Sequence, residues 1–164
     1  MKRVILDTNI YGRIAVDDQR DVVRNMINAS KIIVYGNLVI RKQLRATPKG
    51  QIDGINLRAD LMRLYQEITR NKELDMSKKE EEVANNYYKT YNHLGGITSW
   101  HKMRDDFLIV ASASLHNLNI VVSEDRSTML NELATKSYSI VNSVLKIDIP
   151  RFIDYEEFKK EIRK

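Results

Sequence analysis

The sequence predicts an α/β protein, a three-layer α/β/α sandwich with a mainly parallel sheet. Short β-branched runs alternate along the chain with longer segments in which apolar residues recur at helical spacing. The first run, Val4 to Leu6, has no polar residue between its apolar ones, which is typical of a strand covered by helices on both faces. With 164 residues, 43% of them hydrophobic and 30% charged, the chain suits one domain, 1–164, with its own core.

Four segments predict strands. They are VIL at 4–6, KIIVYG at 31–36, NIVVS at 119–123 and SYSIVNS at 137–143. The first is notable for its end, because Asp7, Thr8 and Asn9 follow it directly. A carboxylate at the edge of a core is costly unless it is neutralised or solvated, so Asp7 either caps a helix or faces a cation.

Helices are predicted between these strands. They cover residues 18–29, 37–44, 56–70, 77–93, 104–117, 124–134 and 154–164, the last as a closing helix. Asn37 is a plausible N-cap for the second, and Ser77 with Glu80 forms a capping box for the fourth. The fourth helix is expected to stop at Gly95, and a loop containing Trp100 leads to the next.

Composition excludes several classes of protein. The absence of cysteine rules out a disulfide framework, thiolate zinc sites and a cysteine nucleophile. The apolar run near the first residue is too short for a signal peptide and no stretch is long enough to span a membrane, so a cytoplasmic protein is expected. The net charge is +5, and no acidic residue occurs between Asp21 and Asp53, a basic asymmetry compatible with a polyanionic partner.

Acidic residues stand at corresponding places in the predicted sheet. Asp7 and Asp125 follow strands, and Asp105 and Asp106 open a helix. Ligands of such sheets bind beyond the carboxyl ends of the strands, so these side chains could meet at one edge. All-oxygen ligands suit Mg²⁺ or Mn²⁺. Taken singly, each acid could equally be a helix cap; together they favour a metal site.

Three motifs, VILDTN, RDDFLIVASA and VVSEDRS, in this order and spacing resemble those of the PIN-domain nucleases over most of residues 2–150. The resemblance implies a PIN-like fold and metal-binding acids at Asp7, Asp106 and Asp125, with Asp105 as an extra acid beside them. Site-shaping groups would be Thr8, Asn9 and Ser123. Many members of this family are toxins paired with an antitoxin, and others process RNA.

The chain departs from the family at one position. The family pattern has Glu on the helix after the second strand, where IRKQL here has Gln43. We therefore expect Gln43 at the catalytic site but with one negative charge missing. Three explanations stand open. The chain is an active natural variant in which Asp105 or Glu124 compensates for the missing charge, a weakly active relative of the family, or an engineered inactive form.

Basic residues surround these positions in the sequence. They are Arg41, Lys42, Arg45, Lys102, Arg104 and Arg126. Cations around an acidic metal centre suit a phosphodiester substrate, although each one singly could be an ordinary solvated residue. Tyr87, Tyr88 and Tyr91 could stack on bases, but their helical spacing favours core packing or a dimer face.

These features together predict a metal-dependent endonuclease acting on RNA, with RNA preferred to DNA by resemblance alone. The expected partners are an RNA substrate, an antitoxin protein and, in a homodimer, a second copy of the chain. The alternative is a PIN-fold protein with weak or no activity that binds RNA or a protein, and Gln43 is the residue that favours it.

Overall fold

A computed structural model describes residues 1–52 and 55–164. Over this part of the chain the strands are β1 (Lys2–Leu6), β2 (Ile32–Asn37), β3 (Gln51–Ile52), β4 (Ile55–Asn56), β5 (Glu73–Leu74), β6 (Ile120–Val122) and β7 (Arg151–Ile153). The helices are α1 (Thr8–Ala15), α2 (Arg20–Ala29), α3 (Leu38–Arg45), α4 (Leu57–Thr69), α5 (Lys78–His93), α6 (Trp100–Leu115), α7 (Glu132–Leu145) and α8 (Tyr155–Glu161).

The main sheet is parallel throughout the described residues, with strand order β5-β2-β1-β6-β7. β3 and β4 form a separate antiparallel pair. From β1 the chain moves outward through β2 to β5, then crosses back to β6 and continues to β7. Because parallel crossovers are right-handed, this reversal places α1 to α4 on one face of the sheet and α5 to α7 on the other. The predicted three-layer α/β/α architecture is confirmed.

β1 lies at the centre of the sheet and is covered on both faces. Val4, Ile5 and Leu6 are fully buried and pair with β2 on one side and β6 on the other. The strand order reverses between β1 and β6, which makes their carboxyl ends the topological switch point, where ligands of open α/β sheets bind. Asp7 follows β1 and Ser123 follows β6, so the motifs around both residues lie at this point.

Several predicted helices are confirmed by their caps. Asn37 and Asn56 cap α3 and α4 through side-chain oxygens that accept hydrogen bonds from backbone N–H groups. Ser77 and Glu80 form the expected capping box at the start of α5. Thr8 to Ala15, which carried no prediction of its own, forms α1 with Asp7 as its N-cap.

Three predictions of local structure are wrong. SYSIVNS lies within α7, where Tyr138 and Val141 are buried; its β-branched residues are overridden by packing on α5. Residues 124–131 precede α7 and are not a helix, because Asp125 holds a turn with its own side chain and Asn131 caps α7. The expected loop around Trp100 is shorter, since α6 begins there.

The C-terminal segment is tied to the body of the fold. The α8 helix is shorter than the predicted 154–164, running from Tyr155 to Glu161 with Asp154 as its cap. Glu161, nearly fully buried, contacts Lys2 of β1 and also pairs with Arg151 and Lys164. No helix among the described residues has the length and apolar character needed to cross a membrane.

Candidate active site

The candidate site lies at the carboxyl ends of β1 and β6. Asp7 is 4% exposed. Its Oδ1 accepts a hydrogen bond from the Thr8 N–H at 2.7 Å. Its Oδ2 accepts from the Ser123 hydroxyl at 2.6 Å and from the Asn9 side-chain amide at 2.9 Å. The three residues predicted to shape the site thus all contact one carboxylate.

The turn after β6 positions Asp125. Its backbone N–H donates to the Ser123 hydroxyl at 3.0 Å, which joins it to Asp7 through one side chain. Oδ1 of Asp125 accepts hydrogen bonds from the backbone N–H groups of Ser127 and Thr128 at 2.9 and 3.0 Å. Burial opposes its ionisation, but hydrogen bonds from Thr128 and Ser127 outweigh burial and hold the pKa of Asp125 below its usual range.

Asp106 lies on α6 and faces inward. Its Oδ2 accepts a hydrogen bond from the hydroxyl of Thr128, which also lies 2.7 Å from Oδ2 of Asp125. Burial raises the pKa of Asp106 to about 7, aided by the negative charges of Asp7, Asp125 and Asp105, although the Thr128 hydrogen bond opposes this. Burial likewise raises the pKa of Asp7.

The side chain of Asp105, the neighbour of Asp106 on α6, contacts different residues from those that Asp106 contacts. Its side chain is 44% exposed. Oδ2 accepts a hydrogen bond from the Gln43 amide at 3.1 Å, and Oδ1 lies 3.4 Å from Arg104. The carbonyl of Gln43 in turn accepts a hydrogen bond from the Thr8 hydroxyl. Gln43 is therefore beside the acids but is bound to Asp105 rather than directed at Asp7.

A single hydrogen-bonded network results from these contacts. It connects, in order, Asp105, Gln43, Thr8, Asp7, Ser123, Asp125, Thr128 and Asp106. The α1 start, α3, α6 and the turn after β6 each contribute to it, so residues far apart in sequence meet at the switch point of the sheet.

The acids and hydroxyl groups of this site offer oxygen donors to a divalent cation. Among the residues that the structure describes, no three Asp, Glu, His or Cys side chains lie close enough to form a ready-made metal site. Hydroxyl groups of Thr128 and Ser123 stand between the carboxylates instead. The donors still suit Mg²⁺ or Mn²⁺, because they are oxygen atoms, and burial, followed by the negative charges of Asp7, Asp125 and Asp105, raises the pKa of Asp106.

Thr128 is the residue that the sequence analysis missed. The signal was present in the spacing, since a hydroxyl three residues after Asp125 can return to its carboxylate when the segment forms a turn. The predicted helix over 124–134 concealed it. Glu124, considered as a compensating acid, instead accepts a hydrogen bond from the N–H of Tyr155 and lies 3.8 Å from Arg13.

The predicted basic residues fall into separate groups. Lys42 and Arg104 line the same groove as Asp105. Arg41 and Arg45 lie one turn apart on another side of α3 and line a separate cavity, where Arg41 pairs with Glu73 at 3.2 Å. Gln43 points about 160–200° away from them around the helix axis.

The remaining predicted cations are exposed, and the tyrosines of α5 are buried or partly buried. Lys102 and Arg126 are exposed. Tyr87 and Tyr91 are buried in the core, which confirms the packing role expected of this stripe, and Tyr88 is partly buried against Trp100.

No protein-family model matches the sequence, and no curated protein matches it significantly. A solved structure matches the fold: a chain in the crystal structure of VapBC2 from Rickettsia felis bound to a DNA fragment from their promoter. The TM-score is 0.59 at 13% sequence identity, over 93% of this chain and 98% of that chain. The fold is PIN-like. At this identity the likeness extends to the fold alone.

Proposed function

We propose that the protein is a metal-dependent endonuclease that hydrolyses phosphodiester bonds in RNA. The observation that carries the proposal is the meeting of Asp7, Asp106 and Asp125 at the switch point of a PIN-like fold, joined by the Ser123 and Thr128 hydroxyls. Carboxylates held close together repel one another and partly protonate unless a counter-ion is present, and a divalent cation is the counter-ion that oxygen ligands favour.

In this proposal Asp7, Asp106 and Asp125 hold Mg²⁺ or Mn²⁺. A bound divalent cation lowers the pKa of a water for attack on phosphorus and stabilises charge on the leaving oxygen. Ser123 and Asn9 orient the Asp7 carboxylate through the hydrogen bonds described above. Asp106 must give up its proton before it can serve as a ligand, since its pKa of about 7 leaves it partly protonated near neutral pH.

We further propose that Asp105 supplies the negative charge that Gln43 lacks. The Gln43 amide holds Asp105 at 3.1 Å, and the charge of Asp105 contributes to the raised pKa of Asp106. Glu124 is turned toward α8 and Arg13, so it is the poorer candidate for this role.

Partners follow from the resemblance and from the VapBC2 structure, whose chains were bound to promoter DNA. On that basis we propose a protein partner of the antitoxin kind for this chain, and a homodimer as its own assembly. Lys42 and Arg104, which line a groove beside Asp105, are the cations best placed to meet substrate phosphates.

The test is cleavage of mixed cellular RNA by the purified chain with Mn²⁺. Wild type should cleave with Mn²⁺ and not with EDTA, while Asp7→Asn and Asp125→Asn should lose the activity. A variant at an exposed distant acid, Glu132→Gln, serves as the matched control. If the wild-type protein binds the RNA but does not cleave it under any of these conditions, the result would favour the second candidate, an inactive RNA-binding protein. The Gln43 amide is the observation that supports this candidate.

A further inference from the structure

The residue between Ser123 and Asp125 links the candidate active site to the C-terminal helix. The backbone N–H of Glu124 donates a hydrogen bond to Oδ1 of Asn9 at 3.3 Å. Its side-chain Oε1 accepts a hydrogen bond from the backbone N–H of Tyr155, the first residue of α8, at 3.3 Å. Glu124 therefore contacts the start of α1 through its backbone and the start of α8 through its side chain.

Asn9 connects the backbone of Glu124 to the acids. The side-chain amide of Asn9 donates a hydrogen bond to Oδ2 of Asp7 at 2.9 Å, while its side-chain oxygen accepts the one from the Glu124 N–H. Asn9 thus bridges the Asp7 carboxylate and the turn that carries Asp125. A shift of residue 124 moves the partner of Asp7 and also the chain directly before Asp125, so its position affects two of the three proposed metal ligands.

The start of α8 is itself fixed to the end of α1. The Tyr155 hydroxyl donates a hydrogen bond to Oδ2 of Asp17 at 2.8 Å, and the Lys159 ammonium lies 3.5 Å from the same oxygen. Tyr155 is 1% exposed. Because breaking the hydrogen bond of such a buried hydroxyl leaves a polar atom unpaired, the contact with Asp17 holds Tyr155, and with it the N–H that Glu124 accepts, in one place.

Two cations add to this attachment. The Arg13 guanidinium lies 5.7 Å and the Lys159 ammonium 4.9 Å from the centre of the Tyr155 ring, which is close enough for cation–π attraction. Nε of Arg13 also lies 3.8 Å from Oε1 of Glu124. Since the Glu124 side chain is 36% exposed, this ion pair contributes little, and the hydrogen bond from Tyr155 is the contact that fixes the side chain.

From these contacts we infer that Glu124 is a positioning residue for the metal site, and that α8 is the element that holds it in position. The acceptor oxygen of Glu124 fixes the turn after β6 against α8, and this turn presents Asp125 and contacts Asn9. A side-chain amide at this position serves equally well, because the contact needs an acceptor rather than a charge. The inference rests on the proposed function, since it gives a residue that is not a ligand a role in metal binding.

Hydrogen exchange of the metal-free full chain tests the positioning without any metal. The backbone N–H groups of Ser127 and Thr128 donate to Asp125, so their exchange rates report how firmly this turn is held. Glu124→Ala removes the acceptor and should raise both rates several-fold. Glu124→Gln retains an acceptor and should leave both rates near those of wild type.

Titration calorimetry with Mn²⁺ gives the second measurement on the same proteins. Glu124→Ala should weaken Mn²⁺ binding by about tenfold, the lower end for groups that orient metal ligands, and Glu124→Gln should bind as wild type does. In the cleavage assay the Ala variant should need more Mn²⁺ to reach half of its maximal rate. At saturating Mn²⁺ its rate should approach that of wild type, because a positioning residue does not contact the reacting atoms.

Variants of α8 separate positioning from a loss of stability. Tyr155→Phe removes the hydrogen bond to Asp17 and should raise the exchange rates of the same two amides and weaken Mn²⁺ binding. Glu161→Gln acts at the other end of α8, where it alters the contacts with Lys2 and Arg151, and should change neither measurement even though it lowers stability. Glu157→Gln, an exposed acid of α8 that lies 3.9 Å from Arg151, is the control for the loss of one charge.

The inference is overturned if Glu124→Ala exchanges and binds Mn²⁺ as wild type does, or if Glu161→Gln has effects of the same size. A lower rate at saturating Mn²⁺ in both the Ala and the Gln variant also overturns it, because the charge of Glu124 would then act on the reaction itself. When wild type cleaves RNA with Mn²⁺, these outcomes leave the nuclease proposal standing. If wild type binds no Mn²⁺, the proposed function and a role of Glu124 in metal binding fall together.

Discussion

The side-chain amide of Gln43 donates a hydrogen bond to the carboxylate of Asp105 across 3.1 Å, from α3 to α6. This contact changes how Gln43 in the IRKQL segment is interpreted. The amide has two partners, Asp105 and the Thr8 hydroxyl, so Gln43 is a well-satisfied group that orients an acid. This contact is the basis of our proposal that Asp105 supplies the charge that Gln43 lacks.

Gln43→Glu tests this relationship. A carboxylate at this position would face Asp105 at the same distance without a donor between them, so the metal-free protein should lose about 1–3 kcal/mol of unfolding free energy. A cation relieves the repulsion, and Mn²⁺ should therefore raise the melting temperature of this variant more than that of wild type. Differential scanning calorimetry with and without Mn²⁺ measures both effects.

The charge-exchanged double variant Gln43→Glu with Asp105→Asn is the control. It restores one carboxylate and one amide at the contact, so the metal-free stability should return toward that of wild type. If Gln43→Glu is as stable as wild type in EDTA and responds equally to Mn²⁺, the contact with Asp105 has no energetic role.

Thr128→Val tests the hydroxyl that contacts Asp106 and Asp125. The substitution keeps the shape and removes the donor, so the buried Asp106 carboxylate and the half-buried Asp125 carboxylate lose the hydroxyl that contacts both, and we expect a loss of about 1.5–3 kcal/mol at neutral pH. Thr128→Ser retains the hydroxyl and should keep most of the stability. Urea unfolding in EDTA compares the three proteins; equal midpoints for Val and Ser would contradict the prediction.

The pKa of Asp106 predicts how stability depends on pH. Burial raises this pKa from 3.8 to about 7 in the folded protein, whereas the unfolded chain has an ordinary value near 3.9. The folded state binds the Asp106 proton more tightly than the unfolded chain does. The contribution of this proton to the free energy of unfolding is therefore fully present below about pH 4 and is lost as the pH rises to about 7. The loss is at most about 4 kcal/mol.

Urea unfolding of the metal-free protein at several pH values measures this loss. Asp106→Asn cannot ionise and should flatten the profile, and added Mn²⁺ should restore stability at the upper end because it binds the ionised form. A wild-type profile that does not fall across this range would show that Asp106 is ionised without cost.

Glu161→Gln tests the attachment of α8. The Glu161 carboxylate is 3% exposed, and hydrogen bonds from Lys2, Lys164 and Arg151 lower its pKa to about 2. The contribution of the ionised Glu161 carboxylate to the free energy of unfolding is present above its ordinary pKa of about 4.5 and is lost as the pH falls toward 2. The substitution should cost about 1–3 kcal/mol at neutral pH. Thermal unfolding measures this, with the exposed Glu156→Gln as control.

Much of the local structure follows from the sequence because its causes are local. β1 is predictable from three consecutive apolar residues that need burial on both faces, and α5 from the Ser77–Glu80 capping box. The alternation of such elements was sufficient to predict the α/β sandwich. The acids at the ends of the strands were visible for the same reason, since Asp7 interrupts an apolar pattern.

Edge strands and α7 were decided by tertiary contacts. β5 and β7 have two and three residues, too few to show a periodic pattern, and they exist because neighbouring strands offer hydrogen-bonding partners. SYSIVNS has β-branched residues typical of a strand, yet burial of Tyr138 and Val141 against the α5 side of the core makes it helical.

The sequence by itself determined which carboxylates stand at the ends of strands and at the start of α6. Only the tertiary structure decided what each of them faces. Burial of Ile40 and Leu44 sets the rotation of α3, which turns Gln43 toward Asp105 and Arg41 toward Glu73. The turn after β6 brings Thr128 between Asp106 and Asp125, and close packing of these charges away from water raises the pKa of Asp106. Such properties depend on distances between residues remote in sequence, which no local pattern encodes.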